Sequence, residues 1–218
     1  MTKYAKLSTY KIWKIFYYFF EDFTATQTAK IMGLNRNTIN LWYNRFRETI
    51  VRVSILESRK LESGEFEIDE SYFWATRVRW KRWRWAAWKT PVFWLLKRDW
   101  KVYVSIVKDC SKASLMPIIQ GKVLEWSTIH SDGWKAYDWL ILNGYTHHRV
   151  YHSKDEFVRW KSHVNWIESF WSFCKRRMRK LNGISHHTFH LHLKECEFRY
   201  NYRNFDQAKK LIFKNLLV

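Results

Sequence analysis

The spacing of apolar residues changes at Glu65, and this change divides the chain into two kinds of structure. Before about residue 55, apolar residues recur at three- and four-residue steps, as in amphipathic helices. From Glu65 they alternate with polar residues, which predicts strands near 65–73, 91–98 and 101–107. We therefore expect an α/β protein with an all-α domain over residues 1–58 and a second domain over residues 59–218.

The N-terminal domain contains the spacing of a helix-turn-helix between residues 25 and 42. Ala29 is small where two helices would approach, Gly33 supplies the turn, and Ile39 would point inward from the second helix. The outward positions carry amide and guanidinium groups, which suit base edges and phosphates. This pattern predicts DNA binding, with an ordinary helical hairpin as the alternative. The outward-facing residues are Asn35, Arg36, Asn37, Asn40, Asn44 and Arg45.

The charge of the chain indicates a polyanionic partner. It has 39 Lys and Arg against 20 Asp and Glu, a formal net charge of +19. Nucleic acid is favoured over a membrane, because the basic residues are spread through globular-looking sequence. A basic protein of the ribosomal type is the alternative. Three distant cysteines and no apolar stretch long enough to span a bilayer predict a cytoplasmic protein without membrane contact.

In so basic a chain, the positions of the acids are informative. Asp69 lies in the alternating run, Asp132 ends a second short strand-like run, and Glu168 follows in a predicted helix over about 162–181. Three carboxylates on two strands and a helix could converge on divalent metal. Mg²⁺ suits such a site because it accepts a few carboxylates and keeps its other positions for water and phosphate. Taken singly, each acid could equally be a surface charge.

Two basic segments would contact the DNA backbone. Lys175 lies two helical turns after Glu168, so the two residues share a helix face. Further basic residues of the same helix are Arg176, Arg177, Arg179 and Lys180. The second segment contributes Arg79, Lys81, Arg82 and Arg84.

Tryptophan is unusually frequent and glycine unusually rare, at 15 Trp and 6 Gly, whereas glycine is about 7% of ordinary proteins. Trp100 follows Asp99 between two predicted strands, where a hairpin favours Asp-Gly. We hypothesise that the source organism reads the codon UGA as glycine. The affected tryptophans would be those at 74, 80, 83, 85, 88, 94, 100, 126, 139, 160 and 166. The rival interpretation is an Arg/Trp platform that stacks on single-stranded nucleic acid.

Four segments also occur in an order typical of one known family. They are Glu67–Phe73, Val92–Leu96, His130–Tyr137 and His163–Trp171, followed by Lys175-Arg176. Together they resemble the ISXO-like DDE domain of small bacterial insertion-sequence transposases, over about residues 60–205. In that family glycine would be expected at positions 74, 94 and 166.

The resemblance implies an RNase H-like mixed-sheet catalytic core in residues 59–218, with Asp69, Asp132 and Glu168 as catalytic metal ligands. It implies two Mg²⁺ ions, for which Mn²⁺ can substitute, and Lys175 in contact with the transposon end. The implied reaction cleaves the element's ends and joins the freed 3′-hydroxyls to target DNA.

The implied partners are double-stranded inverted-repeat and target DNA, and synapsis of two ends implies at least a dimer. The protein would then be nucleoid-associated in a bacterial cytoplasm. The alternative is a catalytically inactive, decayed or domesticated DNA-binding protein.

Overall fold

The computed structural model describes residues 7–57, 62–73, 89–98, 101–132, 135–150, 161–181 and 183–216. The chain folds into two compact units. Unit 1 combines Met1–Glu57 with Cys174–Val218, and unit 2 is Ser58–Phe173. Among the described residues, no helix is both long and apolar enough to cross a membrane.

Seven α-helices and five strands are described. The helices are α1 (Thr9–Phe20), α2 (Ala25–Met32), α3 (Arg36–Glu57), α4 (Lys112–Gln120), α5 (Lys161–Lys180), α6 (His186–Asn201) and α7 (Phe205–Leu216). The strands are β1 (Glu65–Phe73), β2 (Thr90–Lys97), β3 (Lys101–Ile106), β4 (Thr128–Asp132) and β5 (Thr146–Val150). A 3₁₀ helix covers Lys135–Asn143 between β4 and β5.

Helix α2 is capped at both ends. Thr24 and Gln27 form a capping box at the start of α2, in which each side chain accepts the other's backbone N–H. Gly33 ends α2 with a φ of 62°, the left-handed conformation that favours glycine. Ile39 is fully buried and Ala29 is also buried, as the spacing predicts.

The core of unit 1 joins the two ends of the chain. Phe16 and Phe46 are fully buried with edge-to-face ring geometry at 5.1 Å between centroids. Phe198 of α6 and Ile212 of α7 belong to the same buried cluster. Residues 174–218 therefore pack with the N-terminal helices, while the predicted functional boundary at residue 58 stays a prediction.

The sheet of unit 2 has the strand order β3-β2-β1-β4-β5. Strands β1, β2 and β3 pair antiparallel, whereas β4 runs parallel to β1 and β5 parallel to β4. Its core includes Phe66, Ile68 and Ile129 from β1 and β4, and Leu115 and Ile119 from α4. This order and these directions are those of the RNase H-like fold, which confirms the predicted fold class.

Two of the suspect tryptophans have unusual geometry. Trp126 has a φ of 68° and an 85% exposed side chain, although left-handed backbone is strained for a residue with a Cβ. Trp94 is 1% exposed in β2, with its ring centroid 3.5 Å from that of Trp171 and 4.0 Å from that of Phe170. Aromatic pairs prefer separations of about 4.5–7 Å. These geometries are unusual for tryptophan, and the assignment of glycine to the two positions stays a prediction.

Trp126→Gly is expected to raise the free energy of unfolding by about 0.5–1 kcal/mol. Left-handed backbone costs an ordinary residue about 1–2 kcal/mol, and the greater freedom of glycine in the unfolded chain offsets about 0.5–1 kcal/mol of this. Urea denaturation of the parent and variant measures the difference.

The matched control is Trp42→Gly, because Trp42 is 5% exposed inside α3. Loss of that buried ring should cost about 3–5 kcal/mol. A Trp126→Gly variant less stable than its parent would contradict the interpretation. The intact mass of the natural protein tests all eleven positions at once, since each glycine lowers it.

Candidate active site

The sheet brings two of the predicted acids to neighbouring positions. In the parallel β1–β4 pair, Glu65 lies opposite Thr128 and Glu67 opposite His130. Continued by two residues, the same register sets Asp69 level with Asp132, the last residue of β4. Adjacent strands lie about 4.8 Å apart. Positions 69 and 132 are thus side by side on the sheet.

Helix α5 contacts β1 at Asp69. The indole N–H of Trp171 donates a hydrogen bond of 3.0 Å to Asp69 Oδ2, and the Trp171 ring lies 5.3 Å from that of Phe73. Glu168 precedes Trp171 by three residues, so the two positions lie one turn apart on the same helix face. The third predicted acid therefore occupies the turn of α5 next to the one that meets Asp69.

The Asp69 carboxylate is oriented by hydrogen bonds to both oxygens. Oδ1 accepts the backbone N–H of Glu70 at 2.8 Å, and Oδ2 accepts the Trp171 indole. Glu67, two residues earlier on the strand, is 4% exposed, and burial raises its pKa to about 8. Glu67 is therefore largely neutral at pH 7 and adds little negative charge beside Asp69.

Sequence reasoning missed the hydrogen bond from Trp171 to Asp69. The spacing of three residues between Glu168 and Trp171 was the available signal. Trp94 is the cross-strand partner of Asp69 and packs against Trp171. Glycine at 94 would leave space beside the Asp69–Trp171 pair.

The donor set of the three acids suits an oxygen-liganded divalent cation. Three carboxylates supply the hard oxygen ligands that Mg²⁺ prefers. The side chains of Asp132 and Glu168 lie outside the described residues. Within the described part of the chain, no group of three His, Cys, Asp or Glu residues forms a metal site.

Most of the predicted DNA contacts that the structure describes lie on exposed surface. Lys175, Arg176 and Arg179 of α5 are exposed, as are Arg36 and Asn37 of α3. Asn40 and Arg45 are half-buried, and the Arg45 guanidinium lies 5.0 Å from the Trp42 ring centroid. Arg79, Lys81, Arg82 and Arg84 lie outside the described residues.

Arg177 corrects the predicted basic segment of α5. It is 7% exposed, and its Nε donates to Asp22 Oδ1 at 2.9 Å. It also pairs with Glu195, while Lys180 pairs with Asp22 at 3.3 Å. Arg177 is therefore largely buried in unit 1 and ion-paired, unlike its exposed neighbours Lys175 and Arg176.

Glu195 is the centre of a buried charge cluster in unit 1. Its side chain is fully buried and pairs with Arg47 at 2.8 Å, Arg199 at 2.9 Å and Arg177. The three guanidinium groups outweigh the effect of burial and hold the pKa of Glu195 well below its usual range. The cluster links α3, α5 and α6, and sequence periodicity gave no sign of it.

His192 makes unit 1 sensitive to acid. Burial, followed by nearby Arg47, lowers its pKa from 6.5 to about 4. The unfolded chain therefore binds a proton at a higher pH than the folded chain. The contribution of neutral His192 to the free energy of unfolding is complete above pH 6.5 and is lost as the pH falls toward about 4. The expected loss is up to about 3 kcal/mol, from the size of the pKa shift.

His192→Gln is expected to flatten this decline between pH 6.5 and 4.5, measured by urea unfolding at several pH values. His190→Gln is the control, because His190 is exposed on the same helix. Glu195 contributes little to the slope in this window, since its ordinary pKa of 4.5 lies at the lower end of the window and its folded-state pKa lies further below. An unchanged acid slope in His192→Gln would show that His192 is not the source.

An RNase H-like sheet with paired acidic positions on β1 and β4 defines the class of protein. The family pattern of the ISXO2-like transposase domain matches residues 62–201. The chain belongs to this transposase family.

A curated relative and two solved structures are similar to the chain. An uncharacterized transposase-like protein of Haemophilus influenzae is 40% identical over 101 residues, which are 46% of this chain and 81% of that protein. A simian T-cell lymphotropic virus intasome in complex with the PP2A regulatory subunit B56 gamma has a TM-score of 0.43 at 10% identity, covering 87% of this chain and 69% of that chain. The Mos1 transposase paired-end complex has a TM-score of 0.32 at 11% identity, covering 99% and 82%.

Proposed function

We propose that the chain is the DNA transposase of an insertion sequence, which cleaves the element's ends and joins the 3′-hydroxyls to target DNA. The observation that carries the proposal is the parallel β1–β4 register, which would set Asp69 level with Asp132 when extended by two residues, together with the hydrogen bond that anchors α5 at Asp69. Family membership supports the same reaction class.

In this proposal Asp69, Asp132 and Glu168 hold two Mg²⁺ ions, with Mn²⁺ able to substitute. When bound, the ions would stabilise the attacking and leaving oxygens of the phosphodiester. Trp171 fixes the Asp69 carboxylate by its 3.0 Å hydrogen bond, so the ligand is oriented before metal arrives. The same bond fixes the turn of α5 that follows Glu168.

We assign the recognition of DNA to two regions of the chain. The α2–α3 pair in residues 1–58 would bind the inverted repeats through Arg36, Asn37, Asn40 and Arg45. Lys175, Arg176 and Arg179 of the catalytic domain, residues 59–218, would follow the DNA backbone, with Arg79, Lys81, Arg82 and Arg84 as further contacts. Synapsis of two ends requires at least a dimer, acting on double-stranded DNA at the bacterial nucleoid in the cytoplasm.

A strand-transfer assay on duplexes that carry the element's inverted repeats tests the proposal. Joined product that requires divalent metal supports the transposase. Sequence-specific binding without any joining would support the inactive DNA-binding protein instead.

We also propose that the natural protein has glycine at the eleven suspect positions. The backbone of Trp126 and the ring contacts of Trp94 support this. Trp139 offers no such support, since it is half-buried and packs against the core of unit 2. Positions 74, 80, 83, 85, 88, 100 and 160, and the side chain at 166, lie outside the described residues.

A further inference from the structure

Unit 1 contains a cavity of about 640 Å³. It lies among the start of α2, the first half of α3, the end of α5 and the first half of α6. Arg36 and Asn40, two of the predicted DNA contacts, line it from α3. The lining also includes Gly183 and Ser185 of the turn between α5 and α6.

The charge of the cavity wall is positive. Four cationic residues line it, against the two acidic residues Asp22 and Glu195. Both acids are already ion-paired with arginine or lysine. The four cationic residues are Arg36, Arg47, Arg177 and Lys180. Because the positive charge exceeds the negative, the cavity attracts an anion.

Two polar groups of the wall are available to donate hydrogen bonds. Arg36 is exposed and its guanidinium makes no ion pair within the described part of the chain. Asn44 accepts a hydrogen bond from Arg47 Nη1 at 3.1 Å through Oδ1, so its amide NH₂ is the group left to donate. Such a wall complements the oxygens of a phosphate.

The first turn of α6 adds to the same wall. Ser185 is the N-cap of this 16-residue helix, and its hydroxyl makes no capping hydrogen bond. Ser185 and Thr188 both line the cavity. Backbone N–H groups at a helix start favour anions, and here they add to the cationic side chains.

We propose that this cavity holds a backbone phosphate of the DNA that lies along α3. Residues of α3 and of the start of α6 would then contact the same DNA strand. The inference rests on the proposed DNA-binding function and adds a second element to it. A phosphodiester supplies one negative charge against the excess positive charge of the wall, and acceptor oxygens for Arg36 and the Asn44 amide.

Two variants test the proposal without weakening α6. Ser185→Asp keeps a good N-cap and favours the helix dipole, but adds a negative charge at the cavity. Thr188→Glu creates a capping box with Ser185 and adds the same charge one turn later. Their neutral counterparts are Ser185→Asn and Thr188→Gln. Ser8→Asp is the matched control, because Ser8 caps α1 and does not line the cavity.

Binding of the full chain to an inverted-repeat duplex is measured by fluorescence anisotropy over a range of salt concentrations. The chain is prepared with tryptophan and, in parallel, with glycine at the eleven positions. We expect Ser185→Asp and Thr188→Glu to weaken binding by about tenfold or more. The slope of log K against log salt concentration should become shallower by about 0.9, the change that corresponds to one lost phosphate contact. Each neutral counterpart should weaken binding less than its acidic variant, and Ser8→Asp should stay within about twofold of the parent.

The outcomes separate this inference from the function on which it rests. If Ser185→Asp and Thr188→Glu bind the duplex with the affinity of Ser8→Asp at every salt concentration, the cavity is not a phosphate site. DNA binding by the chain would be unaffected by that result. Absence of binding by both parent forms would overturn the proposed function and the cavity site together.

Discussion

Asp69→Asn is expected to reduce metal-dependent strand transfer by at least about a thousandfold, equivalent to about 4 kcal/mol of transition-state stabilisation. The substitution removes one negative charge from the position level with Asp132. An amide oxygen can still accept the Trp171 indole N–H, so the contact between β1 and α5 is retained. DNA binding should stay within about twofold, since Asp69 is not among the proposed DNA contacts.

The assay compares joined product for Asp69→Asn, Asp132→Asn and Glu125→Gln at equal DNA occupancy. Glu125 is an exposed carboxylate of unit 2, so its variant controls for the loss of one charge. Strand transfer by Asp69→Asn close to that of Glu125→Gln would remove Asp69 from the catalytic set. Equal loss in all three variants would point to a general effect of charge.

Glu195→Gln is expected to lower the free energy of unfolding by about 3–5 kcal/mol. The fully buried carboxylate balances Arg47, Arg177 and Arg199. With a neutral amide at position 195, Asp22 would be the one acidic partner left to the arginines of this cluster. The Asp22 side chain is 37% exposed, so it compensates their buried charge less well. Helices α3, α5 and α6 would each keep an arginine that lacks its main counterion.

Urea denaturation at pH 7, followed by circular dichroism, measures this loss. The matched control is Glu48→Gln, because Glu48 is exposed on α3 directly after Arg47. Glu48→Gln should change the unfolding free energy by less than about 0.5 kcal/mol. A Glu195→Gln variant within about 1 kcal/mol of that control would show that the cluster is not what holds the helices of unit 1 together.

Local patterns predicted the elements well. Alternation of polar and apolar residues predicts a strand over 65–73, and β1 has these bounds. The helix predicted over about 162–181 corresponds to α5, in which Trp171, Cys174 and Met178 recur at three- and four-residue steps and are buried. The turn at Gly33 was also predictable, because a left-handed residue after a helix favours glycine.

Partnerships between distant residues could not be predicted in this way. Arg177 follows directly after Lys175 and Arg176, so composition placed it on the same basic surface. In the structure its position on the helix turns it toward Glu195 and Asp22. One residue of helix rotates a side chain by about 100°, which separates exposed from buried positions within a single basic run.

The sequence by itself determined the alternation of strands and helices, the positive charge and the family, because these depend on local periodicity, composition and ordered motifs. Tertiary structure alone decided that Trp171 binds Asp69 and that three arginines surround Glu195. It also decided that residues 174–218 pack with the N-terminal helices. These features join residues up to 180 positions apart, and such pairings depend on chain packing that no local pattern encodes.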